Sequence, residues 1–233
     1  MSRRTTLHCL LALLLTGQAT GVIPALNSTQ VTAAKTEAEA MNIRESGYVL
    51  GSYLLKAYNQ DVFLAANSPE VDGIVLSTPY EQVRYEAYLA HLENHPLTAA
   101  QATAFAKKAN GTLQFRVYSH SPYPVEDEEE QWQLAYRKDH IADDRDRANS
   151  YLDFYKTASL KIGNRTYAAK PVVDGPYRDS FTLPSGDAET RNLGVVFYTF
   201  TVPNMPSTGA FTLTFRDSQG KPYTIQGNLK DHK

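Results

Sequence analysis

The chain has 233 residues, of which 42% are hydrophobic and 21% are charged, and its formal net charge is −2 at pH 7. This composition is typical of a globular protein and excludes a chain that is mostly disordered. A charge close to zero, without a basic cluster, excludes the electrostatic footprint of a nucleic-acid-binding protein. We therefore expect one globular domain with no nucleic-acid partner.

The N-terminus carries the pattern of an export signal. Arg3 and Arg4 precede an apolar run over residues 7–15, and small residues follow it. This pattern is typical of a secretory signal peptide, and the run is too short to span a membrane. We predict that residues 1–19 are the signal and that the mature protein is soluble, lacks a transmembrane segment, and is periplasmic or secreted. Cys9, the only cysteine, lies within the signal, so we expect no disulfide.

The part of the chain after the signal divides into a leader and one domain. Residues 20–31 are predicted to be a flexible leader, and residues 32–233 a single α+β domain. The first part of that domain, residues 32–111, is rich in helical patterns. Apolar spacing predicts one helix from Thr32 and a second over residues 48–58, for which a strand is the alternative.

Two capping boxes predict the next two helices. Thr78, Pro79 and Glu81 match an N-cap, a first helical position and a capping-box glutamate, and the helix is predicted to reach about Asn94. A second capping box over residues 98–101 predicts another helix directly afterwards.

Residues 112–229 carry the period of β-strands. Alternating apolar residues at 113–117 and 211–215 predict strands with one buried face. Residues 195–202 are β-branched or aromatic on both faces, which predicts a central strand covered on both sides. Gly163 and Asn164 between two alternating runs match a two-residue hairpin turn.

Two further stretches complete this part. Alternation over residues 131–137 predicts a strand, and residues 171–192, rich in Pro, Gly and Asp, predict a long loop. The predicted fold class is α+β, with an N-terminal helical segment packed on a mostly antiparallel β-sandwich, immunoglobulin-like or similar, of seven to eight strands.

Three asparagines, Asn27, Asn110 and Asn164, begin sequons for N-glycosylation. Asn110 also matches a helix C-cap, and Asn164 the hairpin turn. These backbone roles explain the last two residues without a sugar.

His91 and His95 are the two residues in the sequence that most resemble a metal-binding pair. Side chains at i and i+4 share one face of a helix, so both imidazoles would reach one ion. The alternative is that the two rings contact the last carbonyls of the helix. No third ligand is marked, and we expect no resident cofactor.

The acidic run over residues 126–130 supplies many oxygen ligands, as weak calcium sites of exported proteins do. It lacks the glycine that usually aims such carboxylates inward. The favoured interpretation is therefore a solvated acidic loop.

Aromatic residues are the most distinctive candidates for a binding surface, because the chain has 15 Tyr, 9 Phe and 1 Trp. Aromatic rings stack on sugar rings, and tyrosine adds a polar group. The candidate pairs are Trp132 with Tyr136, and Tyr118 with Tyr123. Cross-strand packing also favours aromatics and is the alternative explanation.

No motif in the chain forces a reaction type. We therefore expect an exported, non-enzymatic protein whose β-sandwich carries a binding surface for a protein or a polysaccharide. The alternative is an extracytoplasmic hydrolase, or a weak metal-binding protein, that uses carboxylates or His91 and His95.

Overall fold

The computed structural model describes residues 21–41, 47–59, 64, 68–139 and 148–233, with the backbone alone over 135–139. The predicted signal peptide, residues 1–19, lies outside the described residues. The helices are α1 Ser28–Glu39, α2 Pro79–Leu92, α3 Ala99–Ala109 and α4 Val125–Asp139. The strands are β1 Leu54–Ala57, β2 Val71–Ser77, β3 Thr112–His120, β4 Ala158–Ile162, β5 Arg165–Ala169, β6 Pro171–Thr182, β7 Ala188–Thr201, β8 Ala210–Arg216 and β9 Pro222–Asn228.

The described strands form two antiparallel sheets. One has five strands in the order β1-β2-β3-β7-β6, and the other has four in the order β5-β4-β8-β9. Strand β7 lies between β3 and β6, which confirms the central strand predicted over residues 195–202. The β4–β5 hairpin pairs Ile162 with Arg165, so its turn has the two residues that were predicted.

One apolar core lies between the two sheets. The five-stranded sheet contributes Ile74, Leu76, Leu113, Phe115, Val117, Val196, Tyr198 and Phe200, and the four-stranded sheet contributes Leu160, Ile162, Phe211, Leu213, Phe215, Tyr223 and Ile225. These residues occupy alternate positions along their strands, as expected for sheets with one face turned to a shared core. The fold is therefore α+β and sandwich-like.

Helices α1, α2 and α3 share a second apolar cluster. Its members are small or aromatic: Val31, Ala34, Tyr80, Val83, Ala102 and Ala106. Both predicted N-caps are confirmed, because Thr78 Oγ1 accepts from Glu81 N and Thr98 Oγ1 accepts from Gln101 N, each at 3.3 Å. No described helix is long and apolar enough to cross a membrane.

Three predicted elements differ in the structure. Residues 48–58 form a short 3₁₀ helix and strand β1 instead of a helix, so the alternative holds there. Residues 171–192 contain β6 and the start of β7, which pair as a long hairpin and not a loop. Residues 131–137 lie within α4, because the acidic first turn suits a helix N-terminus and Glu128 and Trp132 share one helical face.

The predicted leader also differs. Helix α1 begins at Ser28, and Asn27 caps it, so residues 28–31 are helical. Val22 is buried, and its backbone N–H donates to Ser207 O and Leu229 O at 2.9 and 3.2 Å. Residues 21–31 are thus held against the domain by the buried side chains of Val22 and Val31 and by backbone hydrogen bonds.

Candidate functional site

A cleft of about 320 Å³ lies beside α4 and combines aromatic with polar residues. Its aromatic lining residues are Tyr123, Trp132, Tyr151 and Phe154, and its polar ones are Glu128, Gln131, Ser218 and Gln219, with Pro122 at the edge. We call it the α4 cleft. It brings together Tyr123 and Trp132, one residue from each aromatic pair that the sequence suggested.

Glu128 anchors α4 to the rest of the domain. Its side chain is only 4% exposed, although it belongs to the acidic run that was predicted to be a solvated loop. Its Oε1 accepts from Tyr151 N at 2.7 Å, and its Oε2 accepts from the Asn192 side chain at 2.9 Å. The carboxylate therefore joins α4 both to the segment after it and to β7.

The far wall is a 3₁₀ helix, Tyr151–Phe154, that begins with a capping box. Ser150 Oγ accepts from Leu152 N, and Asp153 Oδ2 accepts from Ser150 N at 3.0 Å. The same Asp153 oxygen accepts from Trp132 Nε1 at 3.2 Å. One carboxylate thus fixes both the 3₁₀ helix and the indole ring, of which 7% is exposed.

The β8–β9 turn forms another side of the cleft, which Ser218 and Gln219 line. Ser218 donates to the Glu70 carboxylate twice, from its backbone N at 3.1 Å and from its Oγ at 2.5 Å. Gln219 Nε2 donates to Tyr123 Oη at 3.4 Å, and both residues line the cleft. The two hydrogen bonds that Glu70 accepts from Ser218 therefore hold this turn in place.

Glu70 itself is 4% exposed. Burial raises the pKa of Glu70 from 4.5 to about 7, and the hydrogen bonds from Ser218 offset part of that rise. The Glu70 carboxyl thus changes its charge near neutral pH.

Tyr151 supports the base of the cleft in its neutral form. Its Oη donates to Ser119 O at 2.8 Å, and burial raises the pKa of this phenol well above its ordinary value. The phenol therefore keeps its proton, and the hydrogen bond to β3 persists over the physiological pH range.

The other predicted aromatics lie elsewhere. Tyr118 faces away from the core on β3, beside Arg116 and Tyr85, and it does not line the α4 cleft. Burial raises the pKa of Tyr118. Tyr136 lies in the part of α4 for which only the backbone is described.

The helical geometry assumed for His91 and His95 is not formed. Helix α2 ends at Leu92, and Asn94 has a left-handed φ of 60°. The spacing therefore does not place the two imidazoles on one helical face. Within the described ranges, no group of three or more His, Cys, Asp or Glu side chains is arranged to hold a metal ion.

Sequence reasoning missed Glu70, Ser218 and Phe154 as parts of this site. Glu70 precedes β2 and Ser218 lies in a hairpin turn, 148 positions apart, and no local pattern connects them. Glu128 was missed for a different reason, because a strand interpretation of residues 131–137 hid its i, i+4 relation to Trp132.

Comparison of this chain with models of known protein families, with curated proteins and with solved structures gives no match. The function is therefore argued from the geometry of the α4 cleft.

Proposed function

We propose that the chain is an exported, non-enzymatic binding protein and that the α4 cleft is its ligand site. One observation carries the proposal: the cleft brings Tyr123, Trp132 and Phe154 together with the amide side chains of Gln131 and Gln219. Ligand sites of proteins are typically concave, lined by aromatic and apolar side chains, and supplied with a few polar groups that orient the ligand.

The size of the cleft limits the ligand. Its volume of about 320 Å³ is at the lower end of the range for small-molecule sites. It suits a small organic group, such as one unit of a polysaccharide or one side chain of a protein partner. The aromatic side chains supply apolar contact, and the amides of Gln131 and Gln219 act as donors and acceptors.

The walls of the cleft are already held before a ligand arrives. Glu128 anchors α4, Asp153 fixes the indole of Trp132, and Glu70 holds the β8–β9 turn. A site that is formed in advance loses less conformational entropy on binding, which favours affinity.

The location outside the cytoplasm is part of the same proposal. It rests on the signal-like pattern of residues 1–19, with Arg3 and Arg4 before the apolar run. Mass spectrometry of the protein purified from its source would show whether the mature chain begins near residue 20.

The packing of helices on the sandwich also belongs to the proposal. Arg116 alternates with the core residues Phe115 and Val117, so it faces outward from the five-stranded sheet, and it bonds Glu81 of α2. We propose that α1, α2 and α3 cover this outer face, which leaves the α4 cleft open to ligands.

The test uses the single tryptophan. Because Trp132 is the only one in the chain and lines the cleft, a bound ligand is expected to change its fluorescence in a saturable way. We would titrate the protein with monosaccharides, oligosaccharides and short peptides. Tyr123→Ala is expected to weaken binding about tenfold, since one stacking contact is lost.

Tyr177→Ala is the matched control. This tyrosine is 55% exposed on β6 and does not line the cleft, so its loss is expected to leave binding unchanged. Two results would reject the cleft as the binding site. One is an equal loss of affinity in both variants, and the other is that no ligand gives a saturable fluorescence change or raises the melting temperature of the protein.

A hydrolase is the second candidate, and one observation favours it. Ser218 Oγ donates at 2.5 Å to Glu70, whose raised pKa near 7 suits a general base. In such an enzyme, Glu70 would accept the hydroxyl proton while Oγ attacks the carbonyl carbon of an ester. The ester C–O bond would break, the alcohol would leave with that proton, and water would then hydrolyse the acyl-serine. Hydrolysis of an activated ester that Ser218→Ala abolishes, with the fold intact, would favour this function over simple binding.

A further inference from the structure

We infer that the four-stranded sheet carries a second binding surface, which docks an acidic polysaccharide. This surface includes a cleft of about 700 Å³ beside the β4–β5 hairpin, which we call the hairpin cleft. Its lining comes from residues between 161 and 167 in the hairpin and from residues between 204 and 212. The hairpin cleft and the α4 cleft share no lining residue, so this inference does not depend on the ligand site proposed above.

Two cations line the hairpin cleft, and no carboxylate accompanies them among its described lining residues. Lys161 and Arg165 are both exposed. Within the described part of the chain, neither side chain pairs with a carboxylate or donates a hydrogen bond. The other polar side chains of the lining are neutral: Asn164, Tyr167, Asn204, Thr208 and Thr212. Unpaired positive charges beside neutral donors and acceptors suit an anionic ligand.

The same imbalance of charge extends over the whole four-stranded sheet. Its strands and turns lie within residues 156–170 and 203–228, which contain six lysines and arginines, all of them exposed: Lys156, Lys161, Arg165, Lys170, Arg216 and Lys221. The only acid in these two segments is Asp217, which is 2% exposed and accepts hydrogen bonds from Tyr223 Oη and from two backbone N–H groups of the turn. The chain as a whole has a formal charge of −2, so acids in the other segments conceal this basic region in the total.

The outward face of this sheet supplies neutral hydrogen-bonding groups beside the cations. Leu160, Leu213 and Ile225 belong to the core, so the residues that alternate with them face outward. Most of the outward residues carry a hydroxyl or an amide: Ser159, Thr166, Thr212, Thr214, Thr224 and Gln226. Lys161 is the sheet partner of both Thr166 and Thr212, so a cation and two hydroxyls lie side by side on this face.

This combination of groups fits an acidic polysaccharide. Such a polymer carries carboxylate or sulfate groups that are separated by sugar rings rich in hydroxyls. The lysine and arginine side chains form charge-assisted hydrogen bonds with its anionic groups. The threonine, serine and glutamine side chains of the outward face act as donors and acceptors for its hydroxyls.

Two other anionic partners fit the surface less well. A membrane-bound surface needs apolar side chains that enter the lipid, and the exposed large hydrophobic residues of the described chain all lie outside this sheet: Val49, Leu54, Leu92, Leu134, Val172 and Tyr177. Single-stranded nucleic acid is bound through exposed aromatic rings on which its bases stack. The only aromatic residue among the described lining residues of the hairpin cleft is Tyr167, which is half-buried.

The probe for this inference is a polygalacturonate oligomer, compared with a neutral dextran oligomer of similar length. Both are chains of sugar rings with many hydroxyls, and only the first carries carboxylates. We expect calorimetric titration of the full chain to show the polygalacturonate binding at least about tenfold tighter than dextran. This advantage should fall as salt is added, because salt screens contacts between exposed charges.

Three charge-removing variants locate the effect. Lys161→Gln and Arg165→Gln are each expected to reduce the affinity for polygalacturonate about fivefold, since each removes one charged contact. Lys107→Gln is the matched control, because this lysine is equally exposed but lies on α3, and its loss should leave the affinity unchanged. All three positions are on the surface, so the variants should keep the stability of the parent, which thermal unfolding checks.

The outcomes either support or overturn this inference. Equal binding of polygalacturonate and dextran would overturn it, as would equal losses of affinity in Lys161→Gln and Lys107→Gln. Tighter binding of duplex DNA or of phosphatidylglycerol vesicles than of polygalacturonate would overturn the assignment to a polysaccharide. Tyr123→Ala, in the α4 cleft, should leave the affinity for polygalacturonate unchanged. A loss in that variant would show that the polymer binds at the α4 cleft and not at this sheet.

Discussion

Glu81 Oε1 accepts a hydrogen bond from Arg116 Nη2 at 2.6 Å, and at most 1% of either side chain is exposed. The other oxygen of Glu81 accepts from Arg84 Nε at 2.7 Å, and Tyr48 Oη donates to Oε1 at 2.6 Å. The guanidinium of Arg116 also lies 3.8 Å from the ring centroid of Tyr85. The glutamate expected to complete a capping box is therefore the centre of a buried ionic cluster that joins α2 to β3.

Replacing Glu81 by glutamine is expected to destabilise the fold by about 3 kcal/mol, because it leaves buried guanidinium charge without its partner. The free energy of unfolding from urea denaturation measures this. Lys35→Ala is the control, since it breaks an i, i+4 pair with Glu39 that is partly exposed and should cost about 0.5 kcal/mol. Equal losses in the two variants would contradict the buried-cluster account.

The pKa of Glu70 makes stability depend on pH. Because its folded pKa is about 7 and its unfolded value is 4.5, the folded state keeps a proton that the unfolded state releases between these values. The contribution of Glu70 is fully present below about pH 4.5 and is lost as the pH rises to about 7. A shift of this size corresponds to roughly 3 kcal/mol.

Urea denaturation of the parent and of Glu70→Gln at pH 4.5 and pH 8 tests this. The stability difference between the two proteins should change in favour of the variant by roughly 3 kcal/mol as the pH rises. Glu93→Gln, which changes an exposed carboxylate at the end of α2, serves as the control. A pH-independent difference for Glu70→Gln would show that this carboxyl does not titrate as described.

Two glycines in strands are expected to differ in their tolerance of alanine. A Cβ on Gly227 would lie 2.7 Å from Phe211 Cε1, and this ring is buried in the core. Gly227→Ala is therefore expected to cost about 1–3 kcal/mol through overpacking.

Gly73 is the matched position, because the nearest atom to its Cβ would be Lys56 O at 3.5 Å, an ordinary contact. Gly73→Ala should be neutral or stabilise by up to about 1 kcal/mol, since it restricts the unfolded chain. Thermal unfolding of both variants measures the contrast, and a larger loss at Gly73 than at Gly227 would refute it.

Asn27 is expected to contribute as a helix cap. Its Oδ1 accepts from Gln30 N at 3.0 Å, and Gln30 Oε1 accepts from Asn27 N at 2.9 Å. Asn27→Ala should destabilise the protein by about 1 kcal/mol. Asn164→Ala, in the exposed β4–β5 turn and also within a sequon, should stay within about 0.5 kcal/mol. Chemical denaturation of the two unglycosylated variants separates the roles, and equal effects would argue against the cap.

The sequence predicts elements best where short-range chemistry decides them. The caps at Thr78 and Thr98, the turn at Gly163 and the central strand over 195–202 all depend on neighbouring residues, and the structure agrees with each. One of the errors falls where two periods compete. Residues 131–137 alternate like a strand, but Glu128 and Trp132 bury one face of a helix, and this tertiary burial overrides the local pattern.

By itself the sequence determined the class of fold, because the period of the apolar residues and the choice of turn residues depend on neighbouring positions in the chain. It also marked Trp132 and Tyr123 as candidates for binding. Only the tertiary structure decided that these two residues share a cleft, that Glu70 holds Ser218 across 148 positions, and that Glu81 is buried between two arginines. The physical reason is that burial and charge pairing depend on which distant segments meet, and no local pattern carries that information.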